Sequence, residues 1–273
     1  MFYQKIINDY IDEVFLPTIE LKEIKTISKY VLEGGKRYRS MIVLDISKTM
    51  FNQYFMDLAL CVELIHNASL ILDDLPCMDN DLIRRNKDSA HVKYGINNSK
   101  IVAQYFIMKS TEIIYSYVND DNKIIVNFIL EELQKACLGQ YYDLNKNKDI
   151  NPAYFINLKT GPFFSISFVI PFLKHPLKIG SNNLYVLSNY FSMAFQICDD
   201  LEDVETDGPD ALNYVSIYGL SKSNKDYYEN INNFTRKLQE LSLYSKFFDF
   251  LVKKLNNKYI ENGKSIQNTH IKS

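Results

Sequence analysis

The chain has 273 residues, of which 47% are hydrophobic and 14% aromatic, enough to bury a sizeable core, and no Pro/Gly/Ser-rich linker divides it. Its 31 basic and 33 acidic residues leave a net charge of −2, which argues against the net basic face that non-specific nucleic-acid binding needs. Four widely spaced cysteines (Cys61, Cys77, Cys137, Cys198) form no CxxC pair, which fits reduced, mostly buried thiols of a cytoplasmic protein better than a disulfide frame or a zinc site.

Apolar residues recur at helical spacing along almost the whole chain and strand-like alternation is scarce, so the expected class is all-α: one domain over residues 1–273. The N-terminal MFYQKIINDYIDEVF carries acids and lacks an apolar signal core; Phe2 to about Phe15 is expected as a helix stopped by Pro17. A second helix is expected over Thr18–Leu32, with Gly34-Gly35 as its stop, followed by Met41–Met50 and Met56–Leu72. Asp73–Asp88 should hold a helix end and a loop, because Pro76 and a polar run interrupt the period. Ser99–Val118 and Ile124–Asp143 follow as long helices separated by NDDNK. Pro152–Leu158 begins another, which the KTGP at Lys159–Pro162 must kink or break before the densely apolar Phe163–Leu173. Asn182–Val204 is a long helix, DGPD at Asp207–Asp210 a turn, and Lys222–Leu241 and Tyr244–Tyr259 the last helices before a polar tail, in which about the last twelve residues should fray. No apolar run reaches the roughly 20 residues that a membrane span requires.

Charge is concentrated in a few places. Asp73–Arg85 reads DDLPCMDNDLIRR and follows the mostly apolar CVELIHNASLIL, so these charges sit where a buried helix opens to water. Asp73, Asp74 and Asp79 would repel one another unless a cation neutralises them, and carboxylate oxygen is the donor that Mg²⁺ takes alongside water and substrate phosphate. Alone, the run is also readable as a solvated acidic turn. A second cluster, Asp199-Asp200-Leu201-Glu202-Asp203, ends another apolar helix, and Asp199 and Asp203 share a face with Gln196 one turn earlier. Acids on an interior stripe are costly without a bound cation. Together the clusters point to two acidic groups facing across a cavity and sharing Mg²⁺ bound to a diphosphate. Gly34–Arg39 (GGKRYR), Arg84-Arg85 and Lys159-Thr160 are each readable as ordinary surface charge; together Lys36, Arg37, Arg39, Arg84, Arg85 and Lys159 supply what a diphosphate would need. His66 lies seven residues before Asp73 on nearly the same helix face, as either a core histidine or a site residue.

These residues resemble those of the trans-isoprenyl diphosphate synthases of the geranylgeranyl and farnesyl type. The resemblance runs from about Gly34 to Gly219, through GGKRYR, LIHNASLILDDLPCMDNDLIRR, GQYYDL (Gly139–Leu144), KTGPF and FQICDDLED, and DDLPCMDND is especially close to the geranylgeranyl-forming members. It implies a bundle of long helices around a deep apolar cavity, commonly a homodimer, with Mg²⁺ as cofactor, three ions with substrate bound. Isopentenyl diphosphate and an allylic diphosphate are the implied substrates. Asp73, Asp79, Asp199 and Asp203 would serve the metal. Arg84, Lys159, Thr160 and Gln196 would hold the allylic diphosphate, and Lys36, Arg39, His66 and Arg85 that of isopentenyl diphosphate. Asp73, Asp79, Asp199 and Lys159 form the implied catalytic set.

The resemblance also implies that product length depends on the residues beneath the first cluster, Ser69, Ala68 and, a turn deeper, Ile65. Members with bulky aromatics there stop at shorter products, so small Ala68 and Ser69 make geranylgeranyl diphosphate the expected product and farnesyl diphosphate the alternative. Three departures stand out. Ser40 takes the place of the usual proline, Ala103-Gln104 replaces a Gly-Asp pair, and no lysine lies between Asp203 and Gly219, where many members carry a lysine run. Lys222 or Lys225 would then have to close over the diphosphate. The missing lysines also suit a catalytically weak regulatory subunit, against which two intact acidic clusters argue. A terpene cyclase of the same fold would not need GGKRYR and His66.

Overall fold

The computed structural model describes residues 2–145, 150–175, 180–204 and 212–270, and these are helical almost throughout, as the apolar period predicts. α1 (Phe2–Tyr10) continues through a π turn at Ile11–Phe15 into a 3₁₀ turn holding Pro17. α2 (Lys22–Leu32), α3 (Tyr38–Phe51) and α4 (Met56–Asp73) follow. Gly34 (φ +78) takes the chain away from α2, and Asn52 (φ 55) ends α3 in a left-handed cap.

After α4 comes a small hairpin, β1 (Ile83–Arg84) and β2 (Lys87–Asp88), that strand-like alternation did not signal. Its two turn residues, Arg85 and Asn86, both have positive φ (55 and 61), the backbone of a type I′ turn made without the usual glycine. α5 (Ala90–Tyr94), α6 (Ile96–Tyr115) and α7 (Lys123–Leu144) come next. α8 (Pro152–Lys159) starts on Asn151, whose side chain accepts from the Tyr154 N–H at 3.2 Å. KTGP breaks the helix as expected, and α9 (Gly161–Val169) leaves at 50°.

α10 (Ser181–Asp203), α11 (Tyr214–Glu240) and α12 (Lys246–His270) complete the chain. α11 is interrupted at Gly219, whose φ 77 and ψ 160 are not helical, so a short helix from Tyr214 precedes the long one that the sequence indicates from about Lys222. α12 extends past Tyr259 to His270, beyond the end that the sequence indicates. The DGPD turn lies outside the described residues. Cys61 and Cys198 are buried, whereas Cys77 and Cys137 are exposed, so only half of the thiols are in the core. Among the described residues no single helix is long and apolar enough to cross a membrane.

The chain packs as two compact units, Met1–Phe128 with Val169–Pro176, and Ile129–Phe168 with Leu177–Ser273. In the first, α4 is the central helix, packed on α6, α3, α2 and α1. Residues on every side of it are buried, including Leu58, Leu60, Val62 and Leu64, as for a helix surrounded by others. In the second, α10 is central, against α11, α12 and α8. Its Phe191 meets Phe164 at 4.9 Å and Phe234 at 5.1 Å, in an aromatic core that also stacks Phe168 on Phe248. Each central helix ends in aspartates.

Candidate functional site

The C-terminal carbonyls of α4 already carry partial negative charge, to which Asp73 and Asp74 add. The following loop folds back on itself: the Asp79 N–H donates to Asp73 O at 2.9 Å, and Leu75 O accepts from Met78 N at 2.9 Å and Asn80 N at 3.1 Å. Asp79 is thereby drawn back beside Asp73 at the helix mouth. Asp74 has a different part. It is buried and ion-paired to Arg84, which also reaches Asp81 at 2.7 Å. Burial raises the Asp74 carboxyl pKa, and the Arg84 guanidinium works against that rise. The three aspartates grouped in the sequence thus separate into two at the mouth and one holding the hairpin arginine.

The basic residues of this unit also divide. Lys36 is exposed, but Arg37 turns inward. It pairs with Glu63 at 2.8 Å, both side chains 3% exposed, and donates to Asn8 Oδ1 and to Leu32 O. Counting Arg37 among the anion-binding cations is therefore a misreading; its charge is taken by Glu63. Ser40 belongs to the same cluster, its Oγ donating to Arg37 O at 3.0 Å and its N–H to Glu63 Oε1 at 3.4 Å. A proline there would remove that donor.

Arg39 Nη1 donates to His66 Nε2 at 3.2 Å. Burial first, then the cations Arg39, Arg85, Arg37 and Arg84, hold the His66 pKa well below its ordinary value, so the imidazole is neutral. Arg85 donates to Val31 O at 2.9 Å and Glu33 O at 3.1 Å, and to Asn67 Oδ1 at 3.2 Å, fixing the hairpin turn against the end of α2. Lower on α4, Ile65 and Ala68 are buried and Ser69 Oγ donates to His66 O at 2.9 Å.

In the second unit, α7 and α8 approach so closely that a Cβ on Gly139 would lie 2.6 Å from Leu158 C and 2.7 Å from Lys159 N. One turn on, Asp143 is ion-paired to Lys159. GQYYDL thus serves the lysine of KTGPF, a partnership the two motifs hint at only by both being present. Thr160 Oγ1 donates to Gln196 Oε1 at 2.6 Å, and Gln196 Nε2 to Asp200 Oδ1 at 2.7 Å. Asp200 is buried; its Oδ2 accepts from Tyr214 N at 2.7 Å and its carbonyl from Asn213 Nδ2 at 2.7 Å. It ties the end of α10 to the start of α11.

Asp199 points elsewhere. Its Oδ1 lies 2.5 Å from Lys258 Nζ, which also reaches Glu202 at 2.7 Å. Burial opposes the charge on Lys258, but Asp199 and Glu202 outweigh it and raise the ammonium's pKa. Lys258 was missed in the sequence because it stands on α12, far along the chain from the acids. Lys222, expected to serve the diphosphate, pairs with Asp226 at 2.8 Å.

Among the described residues no three His, Cys, Asp or Glu side chains converge on one point. What the protein offers is carboxylate oxygens at two helix ends. Each end by itself fits Mg²⁺, which is usually held by one or two carboxylates and completed by water and substrate phosphate.

Residues 21–213 match the polyprenyl synthetase family. A trans-prenyltransferase of African swine fever virus is 28% identical, the match covering 84% of this chain and 74% of the viral one. A farnesyl diphosphate synthase of Buchnera aphidicola is 30% identical over 77% of this chain and 83% of its own. The crystal structure of a geranyltranstransferase from Thermotoga maritima has a TM-score of 0.80 with 26% identity, covering 95% of this chain and 98% of that one. The chain belongs to the polyprenyl synthetase family. It is a prenyltransferase, of the type that farnesyl and geranylgeranyl diphosphate synthases represent.

Proposed function

We propose that this enzyme is Mg²⁺-dependent and joins isopentenyl diphosphate to an allylic diphosphate (dimethylallyl, geranyl or farnesyl), with geranylgeranyl diphosphate as its product. The observation that carries the reading is the hydrogen-bonded run Thr160–Gln196–Asp200 at the acidic end of α10, which sets two polar side chains beside the second aspartate cluster in fixed orientation. Asp73 and Asp79 at the end of α4, and Asp199 and Asp203 at the end of α10, are the residues that would hold Mg²⁺. When bound, the metal supplies positive charge to a departing diphosphate.

Lys159, Thr160, Gln196 and Arg84 bind and orient the allylic diphosphate; a planar guanidinium and an ammonium suit its oxygens. Lys36, Arg39, His66 and Arg85 hold isopentenyl diphosphate, and the neutral His66 donates or accepts without adding charge. Ionisation of the allylic C–O bond leaves a carbocation, which the double bond of the positioned isopentenyl group attacks. Loss of a proton, with the released diphosphate as base, completes the extension. Small Ala68 and Ser69 leave the tail room to reach twenty carbons.

The exposed side chains of Ile101, Met108 and Tyr115 recur at seven-residue intervals on one face of α6, and we assign that face to a second copy of the chain. Incubating the purified protein with isopentenyl diphosphate and each allylic diphosphate, with Mg²⁺ or with EDTA, tests the reading. A C20 product that EDTA abolishes is expected; no condensation with any starter, or undiminished condensation in EDTA, would reject it.

A further inference from the structure

Neither α10 nor the stretch from Val204 to Gly219 contains a lysine or arginine, although α10 ends in Asp199, Asp200, Glu202 and Asp203. Carboxylates at the negative end of a helix need a cation, and this one comes from α12. Lys258 Nζ sits 2.5 Å from Asp199 Oδ1 and 2.7 Å from Glu202 Oε2.

Its helix is fixed on both sides of that lysine. Cys198 Sγ lies 4.0 Å from Leu255 O, and Asn262 Nδ2 donates to Cys198 O at 3.4 Å. Tyr259 stacks on Tyr227 with ring centroids 3.8 Å apart and bonds Asn224 through its hydroxyl at 2.7 Å. Tyr227 in turn donates to Asn256 Oδ1 at 2.8 Å. A lysine anchored in this way is placed on the acids by packing.

We propose that Lys258 is an internal counter-cation: it occupies Asp199 in the metal-free enzyme and lowers the affinity with which the second aspartate cluster takes a divalent ion. The inference rests on the reading of Asp199 as a metal ligand. The ammonium holds Oδ1 and sets a positive charge beside the carboxylate, so a divalent ion is opposed by Lys258 and displaces it to take that oxygen. Glu202, one turn from Asp199 and about half exposed, is the place to which it withdraws. The displaced ammonium keeps three N–H donors for an anion that arrives with the metal.

The test titrates Mn²⁺ into substrate-free protein and follows the unbound ion by its paramagnetic resonance signal, with circular dichroism melts to establish that each variant is folded. Lys258→Met should bind Mn²⁺ roughly tenfold more tightly than the wild type, the effect of removing one charge-assisted competitor. Lys258→Gln, a second neutral variant, should do the same, and Lys258→Arg should stay near the wild type. Adding Asp199→Asn to Lys258→Met should erase the gain. If Lys258→Met and Lys258→Gln leave the affinity unchanged while Asp199→Asn weakens it, the counter-cation is overturned and the metal role of Asp199 stands. If Asp199→Asn has no effect in either background, the metal role fails and the counter-cation falls with it.

Discussion

α4 and α10 are both the central helices of their units and both end in aspartates, but the charge is met differently at each. At α4 the neutralising arginine comes from the hairpin just downstream and takes Asp74, the acid between the two at the mouth. At α10 the cation comes from a helix more than fifty residues away and takes Asp199 itself. In each pair of adjacent aspartates one is buried for structure, but it is also the second of the pair both times: Asp74 holds Arg84, and Asp200 holds the N-terminus of α11. Identical letters in an acidic motif thus carry separate duties, and the neighbouring backbone decides which.

The sharpest way to break that comparison is to change the two members of one pair. Asp199→Asn should lower kcat/KM by about 10²- to 10³-fold with little loss of stability, as for removal of a group that stabilises transition-state charge. Asp200→Asn should chiefly lower the melting temperature, because it weakens charge-assisted bonds to Tyr214 N and Gln196. Equal effects on melting would erase the distinction.

Next in size is the buried pair of the first unit. Arg37→Met alone should cost about 3–5 kcal/mol in urea unfolding, because it strands the Glu63 charge, and Arg37→Met with Glu63→Met should recover much of it. Gly139→Ala should cost about 1–3 kcal/mol, since α7 must move off α8, and should raise KM for the allylic substrate more than for isopentenyl diphosphate. An unchanged ratio of the two KM values would detach Gly139 from the positioning of Lys159.

The smallest effect is on pH dependence. The folded protein holds the His66 pKa below its unfolded value of about 6.5, so the unfolded chain takes up a proton first as the pH falls. Stability present above pH 6.5 is therefore lost on acidification by up to about 1.4 kcal/mol per pH unit from this group. Urea midpoints of His66→Asn between pH 7 and 5 should fall less steeply than those of the wild type.

The helical class and most element positions were legible because apolar spacing is a local signal, and so were the two acidic helix ends. The hairpin after α4 was hidden: strands of two residues have no period, and its turn uses Arg85 and Asn86 where glycine would have announced it. Arg37 and Arg39 lie two apart in one basic run, and only packing shows that one faces Glu63 and the other His66. Lys258 belongs to an otherwise ordinary amphipathic helix, and nothing local distinguishes it from the exposed lysines around it. Long-range pairing is what a single sequence conceals.

Thr160 has one hydroxyl proton, and in the ligand-free enzyme it is directed at the Gln196 carbonyl. Turning it towards a phosphate oxygen would take that donor from the Gln196 carbonyl, whose side chain is held in place by the bond from its amide nitrogen to Asp200. Under the proposed function, the water that a hydrated cation brings in with the diphosphate would supply a replacement donor.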